Sequence, residues 1–138
     1  MARDILVDAG PLIALFDRDD AFHERALAFV SSSRHRFVTT TPVMTEVLHM
    51  IDFDVRAQIG FLEWVTARGV SLHEIRPTDI NRVLALTKRY SDLPMNFADA
   101  TLVVTAERTG IRTIASVDSD FDVYRLPGKE QIRNVFYE

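Results

Sequence analysis

Runs of five or six residues rich in branched and aromatic side chains alternate along this chain with longer stretches of helical periodicity. The runs RDILVD (3–8), RFVTT (36–40), VSLHEI (70–75), IRTIAS (111–116) and RNVFY (133–137) read as strands. Between them, PLIALF predicts a helix from Pro11 to near Asp17, and AFHERALAFVSSS a second one capped by Asp19 or Asp20, with Phe22, Ala26 and Phe29 on one face. Pro42 opens PVMTEVLHMI, Gly69 stops VRAQIGFLEWVTAR, and Thr78 is the expected cap of PTDINRVLALTKRY. NFADATLVVTAERTG closes on Gly110, the usual residue past a helix end. Short apolar strands separated by amphipathic helices predict an α/β fold with a central parallel sheet covered on both faces. No repeat, low-complexity tract or linker interrupts the 138 residues, so one domain over 1–138 is expected.

In such sheets, ligands gather outside the carboxyl ends of the strands, where strand order reverses. Asp8 closes the first strand at such an end, just before Gly10-Pro11. As an isolated feature it reads equally as a turn residue. Asp99 is more informative. Its helical neighbours at i+3, i+4 and i+7 are Leu102, Val103 and Ala106, so it shares an apolar stripe, while Glu107 and Arg108 take the polar side. A negative charge in the first turn also suits the helix dipole, which explains an exposed Asp well and a core-facing one poorly. Glu46 borders the apolar arc of Val43, Met44, Val47, Leu48, Met50 and Ile51, where a side chain can also reach water. Asp118 follows the strand IRTIAS, with Asp120 and Asp122 close behind, and at least one of these three is expected to be an ordinary loop residue.

Carboxylates sent to one rim repel unless cations join them. Hard divalent ions such as Mg²⁺ or Mn²⁺ take oxygen ligands, and the chemistry of such sites is phosphoryl displacement with a metal-activated water. A cysteine count of zero removes disulfides and thiolate metal sites, and His23, His35, His49 and His73 have no zinc-like spacing. No Gly-rich phosphate loop is present. The net charge of −4 argues against coating nucleic acid by bulk positive charge but leaves room for an acidic nuclease. Asp4 and Asp8 interrupt the first apolar stretch, so no signal peptide is expected, and no run is long enough for a membrane span; a cytoplasmic protein is the expectation.

Four blocks in order, ILVDAGPLIALFDRDDAFH, TTTPVMTEVLHMI, LPMNFADATLVVTAERTGI and IASVDSDFDVYR, resemble the PIN-domain nucleases, specifically their toxin-type (VapC-like) branch. The resemblance covers almost the whole chain. It implies a three-layer α/β/α sandwich and a Mg²⁺- or Mn²⁺-dependent endoribonuclease, the toxin of a pair with a small antitoxin. It carries an acidic metal-binding and catalytic quartet onto Asp8, Glu46, Asp99 and Asp118, with Asp120 as an auxiliary acid beside Phe121. Asn96 and Ser116 would support these ligands. Two positions depart from the pattern: Ala9 lacks the hydroxyl common after the first Asp, and Asn96 stands where Asp is frequent. They bear on metal affinity and rate more than on reaction type.

The alternative is a catalytically weak PIN-fold module that binds nucleic acid or protein, which those two departures favour. A phospho-receiver domain ranks lower, because a lone Asp8 closes the first strand and Lys129 lies in a Pro-Gly loop. RNA would need local positive charge, for which Arg18, Arg34, Arg36, Arg112 and Arg125 are candidates. The aromatic content of FLEWV predicts a homodimer, the opposing reading being that Phe61 and Trp64 only cap the core. The apolar content of 42–68 predicts an antitoxin groove along those helices.

Overall fold

The computed structural model describes residues 3–93 and 95–138. Five strands, β1 (Asp4–Val7), β2 (Arg36–Thr40), β3 (Ser71–His73), β4 (Thr113–Ala115) and β7 (Arg133–Asn134), form one sheet in the order β3-β2-β1-β4-β7. Every pairing in it is parallel. Among the described residues six α-helices accompany the sheet: α1 (Ala9–Phe16), α2 (His23–Ser32), α3 (Thr41–Met50), α4 (Val55–Thr66), α5 (Ile80–Arg89) and α6 (Phe97–Thr109). A two-residue hairpin, β5 (Arg125–Leu126) with β6 (Glu130–Gln131), lies apart from the sheet and was not legible in the sequence. The α/β architecture with a central parallel sheet is as expected.

The topology creates the site. The chain winds outward from β1 through β2 to β3, then crosses back to place β4 on the other side of β1. The reversal therefore falls between β1 and β4, the place where such sheets form a crevice, and Asp8 and Ser116 follow directly on those two strand ends. The Asp8 amide donates to the Ala115 carbonyl at 3.0 Å, which ties the two strand ends together.

Helix α6 passes through the core. Ala98 to Ala106 are buried without a break, and small or β-branched side chains let neighbouring elements close in on every side. Its interior hydroxyls are satisfied: Thr105 donates to the Thr101 carbonyl, and Thr101 pairs with Thr40 at 2.8 Å. Gly110 ends it with φ 81°, in the left-handed region that only glycine enters freely.

Several local expectations need correction. Helix α1 starts at Ala9 rather than Pro11, because the Asp8 carboxylate accepts from the Ala9 amide and begins the helix earlier. Asp20 accepts from the Phe22 amide at 2.8 Å, and Phe22, with no capping side chain, precedes α2. Thr78 does not cap α5. It lies inside a single 3-10 turn, Pro77–Asp79, where the Asp79 carboxylate accepts from the Arg76 amide. Past α4 the left-handed residue is Arg68 (φ 67°), not Gly69. Gly69 is instead a close approach, since a Cβ there would fall 2.1 Å from the Trp64 ring.

Phe61 is fully buried, edge-on to Phe16 at 5.5 Å between ring centres, and Trp64 packs 5.7 Å from the same ring. Both side chains serve this chain's own core, so FLEWV gives no argument for a dimer. The apolar side chains that reach water nearby are Phe53, Val55, Ile59 and Leu62.

Candidate metal centre

Each carboxylate of interest stands just beyond a strand or in the first turns of a helix. Asp8 follows β1 and caps α1, with Oδ1 accepting from the Ala9 amide at 2.8 Å and Oδ2 from the Ser116 hydroxyl at 3.0 Å. Asp99 occupies the first turn of α6. There Asn96 Oδ1 accepts from the Asp99 amide at 2.8 Å, and Asp99 Oδ2 accepts from the Tyr124 hydroxyl at 3.3 Å. Asp8 and Asp99 are both buried, at 7% and 6% exposure.

Glu46, half-buried on α3, is reached by the Asn96 side-chain amide at 3.4 Å. Asp118 is exposed in the loop after β4. Its Oδ1 accepts from the Asp120 amide at 3.0 Å and lies 3.4 Å from the Ser116 hydroxyl. The single Ser116 proton favours the shorter partner, Asp8. Asp120 is half-buried, while Asp122 is exposed as an ordinary loop residue.

The electrostatics join these groups. Burial, then the charge on Asp99, pushes the Asp8 carboxyl up to about 7; the Ala9 amide and Ser116 hydroxyl oppose this, and Asp118 adds to it. Burial raises Asp99 to about 6, against the Asn96 amide and Tyr124 hydroxyl, with Asp120 and Glu46 adding repulsion. Burial and Asp118 also push Asp120 upward. Burial and the neighbouring Asp99, Asp120 and Asp118 raise the Tyr124 phenol, so it stays protonated and donates. Asp8 thus feels Asp99 and Asp118, Asp99 feels Asp120 and Glu46, and Asp120 feels Asp118, which links the five acids as neighbours. Among the described residues, none of the ion pairs includes any of them.

An all-oxygen set of buried and half-buried carboxylates without a basic partner fits a hard divalent cation. The five expected acids share one crevice but do not close on a point. Among the described residues, no group of three or more His, Asp or Glu is drawn together closely enough to hold a metal ion as it stands. Of the basic candidates, Arg36 pairs with Asp4 at the opposite, amino end of β1, and Arg112 with Glu130.

Sequence reasoning missed two participants. Tyr124 reaches Asp99 from a short loop segment, and Asn134 fixes the loop below Asp118. The Asn134 amide donates to the Ser116 carbonyl at 3.0 Å, and its Oδ1 accepts from the Ser116 amide at 3.2 Å. The sequence offered little signal for Asn134, which stands between the charged Arg133 and the apolar Val135-Phe136.

Comparison with known proteins bears on the family and the fold. The PIN domain family model matches residues 5–126. The chain is similar to Ribonuclease VapC26 of Mycobacterium tuberculosis, 25% identical over 116 residues, covering 83% of this chain and 86% of that protein. Its fold is that of the crystal structure of Mycobacterium tuberculosis VapC20, a Sarcin-Ricin loop cleaving toxin, with a TM-score of 0.78 at 21% identity over 86% of this chain and 92% of that one. A sheet reversing between β1 and β4, an acidic crevice at that reversal and a family match over nearly the whole length lead to one assignment: this chain belongs to the PIN-domain family.

Proposed function

We propose that this protein is a divalent-metal-dependent endoribonuclease, acting as the toxin of a toxin–antitoxin pair. The observation that carries the reading is the pair Asp8 and Asp99, buried carboxyls raised to about 7 and 6, with burial as the main cause in each and neighbouring acids adding to it, Asp99 and Asp118 for Asp8 and Asp120 and Glu46 for Asp99. Groups held this way at a topological switch point are poised for a cation. The similarity to a ribonuclease and to an RNA-cleaving toxin supports the substrate class.

Asp8, Glu46, Asp99 and Asp118 would hold Mg²⁺ or Mn²⁺, with Asp120 as an auxiliary ligand. Such an ion, when bound, supplies a water acidic enough to attack phosphorus at neutral pH and charge to steady the leaving oxygen. The chain's own residues orient the ligands. Ser116 fixes one oxygen of Asp8, Tyr124 fixes one of Asp99, and Asn96 both caps α6 and donates to Glu46. Each carboxylate keeps lone pairs for a cation while its rotation is restrained.

Antitoxin docking along 42–68 is supported by the exposed Phe53, Val55, Ile59 and Leu62. A homodimer and a cytoplasmic setting belong to the same proposal; among the described residues no helix is long and apolar enough to cross a membrane. The deciding experiment is cleavage of RNA with Mn²⁺, with a chelator control and an Asp99→Asn control. Activity that survives both controls would overturn the reading. The second reading, a catalytically weak binding module, is favoured by the acids not closing on one point; RNA binding without Mn²⁺-dependent cleavage would support it.

A further inference from the structure

An open groove of about 580 Å³ lies between α3 and the first turn of α6, and Glu46 and Asn96 form its boundary with the acidic crevice. Phe97 lines it. This residue opens α6, two positions before Asp99, and 49% of its surface is exposed, whereas the nine residues after it are buried. Pro42 and Ala98 extend the apolar wall, and Thr45 and His49 form a polar margin. The Thr45 hydroxyl donates to the Thr41 carbonyl, so its lone pairs remain available to accept.

Charge decides what fits. None of the described residues lining the groove is Lys or Arg, and Glu46 is a carboxylate. A phosphate placed there would face Glu46 with no Lys or Arg beside it and only the end of α6 to favour it. The uncharged part of a nucleotide suits the groove: a flat π-face for the Phe97 ring, and an edge of donors and acceptors for Thr45, His49 and Asn96. Glu46 and Asn96 line the groove and also adjoin Asp99, so a base in the groove would bring the adjoining phosphate toward the acids.

We infer, on the basis of the ribonuclease reading, that this groove takes one unpaired nucleobase of the RNA, stacked on Phe97, next to the phosphate presented to Asp8 and Asp99. A base inside a duplex has its faces covered by its neighbours and cannot enter.

The test needs no cleavage. A short single-stranded RNA carrying 5-iodouridine is irradiated with the wild-type protein in Ca²⁺, and the crosslinked residue is located by mass spectrometry. Binding of the same RNA and of its duplex is measured for wild type, Phe97→Ala and Phe97→Tyr. A crosslink at Phe97, single-strand affinity falling roughly 5- to 150-fold in Phe97→Ala, and recovery in Phe97→Tyr are expected. A crosslink confined to other residues, an affinity unchanged within about twofold, or equal losses for duplex and single strand would each overturn the inference. Melting curves identify any Phe97→Ala loss that comes from unfolding, and in that case the wild-type crosslink decides. Should wild type crosslink at Phe97 yet fail to cut RNA with Mn²⁺, the nuclease reading falls and the base site stands.

Discussion

Asp4 and Asp8 bound the same strand and meet opposite treatment. Asp4, at the amino end, pairs with Arg36 of the neighbouring strand at 2.7 Å and stays partly in water. Asp8, at the carboxyl end, is buried beside Asp99 and Asp118 with a hydroxyl and an amide but no base, and its carboxyl rises to about 7. The pattern extends beyond β1. Asp79 accepts from the Arg76 amide and from Arg108 at 2.8 Å, and those partners hold it below the ordinary carboxylate range. Glu107 takes Arg82 at 2.7 Å. Asp4, Asp79 and Glu107 are met by this chain's own cations, whereas Asp8 and Asp99 are held by neutral donors. A fold that built both kinds has reserved one rim for positive charge from outside.

The sharpest break in that comparison is Asp8→Asn against Asp4→Asn. The first should lower the initial rate of Mn²⁺-dependent RNA cleavage by about a hundredfold or more, since even losing a ligand's supporting partner costs about 10- to 100-fold. The second should leave the rate unchanged and cost less than about 1 kcal/mol in denaturant unfolding, as exposed ion pairs do. Equal losses in both variants would mean that the two strand ends are not distinct.

Next in size is the dependence of stability on pH. Asp8 moves from an ordinary 3.8 to about 7 on folding, and Asp99 from 3.8 to about 6. Between those values the folded protein holds more protons than the unfolded chain, so stability falls as pH rises through the window. In chelator, the wild type should lose on the order of 2 kcal/mol between about pH 5 and pH 8, and Asp8→Asn and Asp99→Asn should lose less. Above about pH 7 both variants should therefore melt higher than wild type. Mn²⁺ should reverse the order, because at a hundredfold over its dissociation constant it adds about 2.7 kcal/mol to wild type and much less to the variants. Its benefit should also grow with pH as the ligands lose their protons. Melting curves at several pH values, with Mn²⁺ and with chelator, check both halves.

Ser116→Ala is a milder probe. Its backbone amide and carbonyl remain tied to Asn134, so the loop after β4 should keep its course. Asp8 loses a donor that favours its charged form, and its carboxyl should move further up. Mn²⁺ affinity by titration calorimetry should fall about tenfold at neutral pH, and the loss should shrink toward alkaline pH. A loss independent of pH would mean that Ser116 acts on the loop rather than on Asp8.

How much of this was legible in the sequence depends on where each residue's partners lie. Asp8 and Asp99 could be read because each breaks a local pattern, an apolar strand in one case and a helical stripe in the other. That reading even understated Asp99, since α6 is buried on nearly all sides rather than along a stripe. Tyr124 could not be read. Its partner is 25 positions away in a segment with no periodicity, and an aromatic there looks like core. Asn134 is similarly distant from Ser116, to which it hydrogen-bonds. Caps were misplaced where several acidic or hydroxyl residues stood side by side: no side chain caps α5 where Thr78 was expected to, and the Asp79 carboxylate instead turns back to the Arg76 amide. Exposure within the DSDFD loop, which leaves Asp118 in water and half-buries Asp120, is set by how the segment packs around Phe121 and carries no sequence period.

The smallest expected effect on stability separates fold from site most cleanly. Asn96 has two duties: its oxygen caps α6 by accepting from the Asp99 amide, and its amide donates to Glu46. Asp performs the first duty as well as Asn does, so Asn96→Asp should preserve the cap. It cannot perform the second. Where an amide proton now faces Glu46, a carboxylate oxygen would add another negative charge at the boundary of the crevice. In chelator these changes should nearly cancel, because a better charge at the helix N-terminus offsets new repulsion at a half-exposed position, leaving stability within about 0.5 kcal/mol of wild type. With Mn²⁺ they should not cancel. An added oxygen ligand or neighbouring charge should tighten the metal, read as a larger rise in melting temperature than wild type shows at equal Mn²⁺. If the variant melts like wild type in chelator and gains no more from Mn²⁺, Asn96 serves only to cap α6, and its contact with Glu46 contributes nothing to the metal.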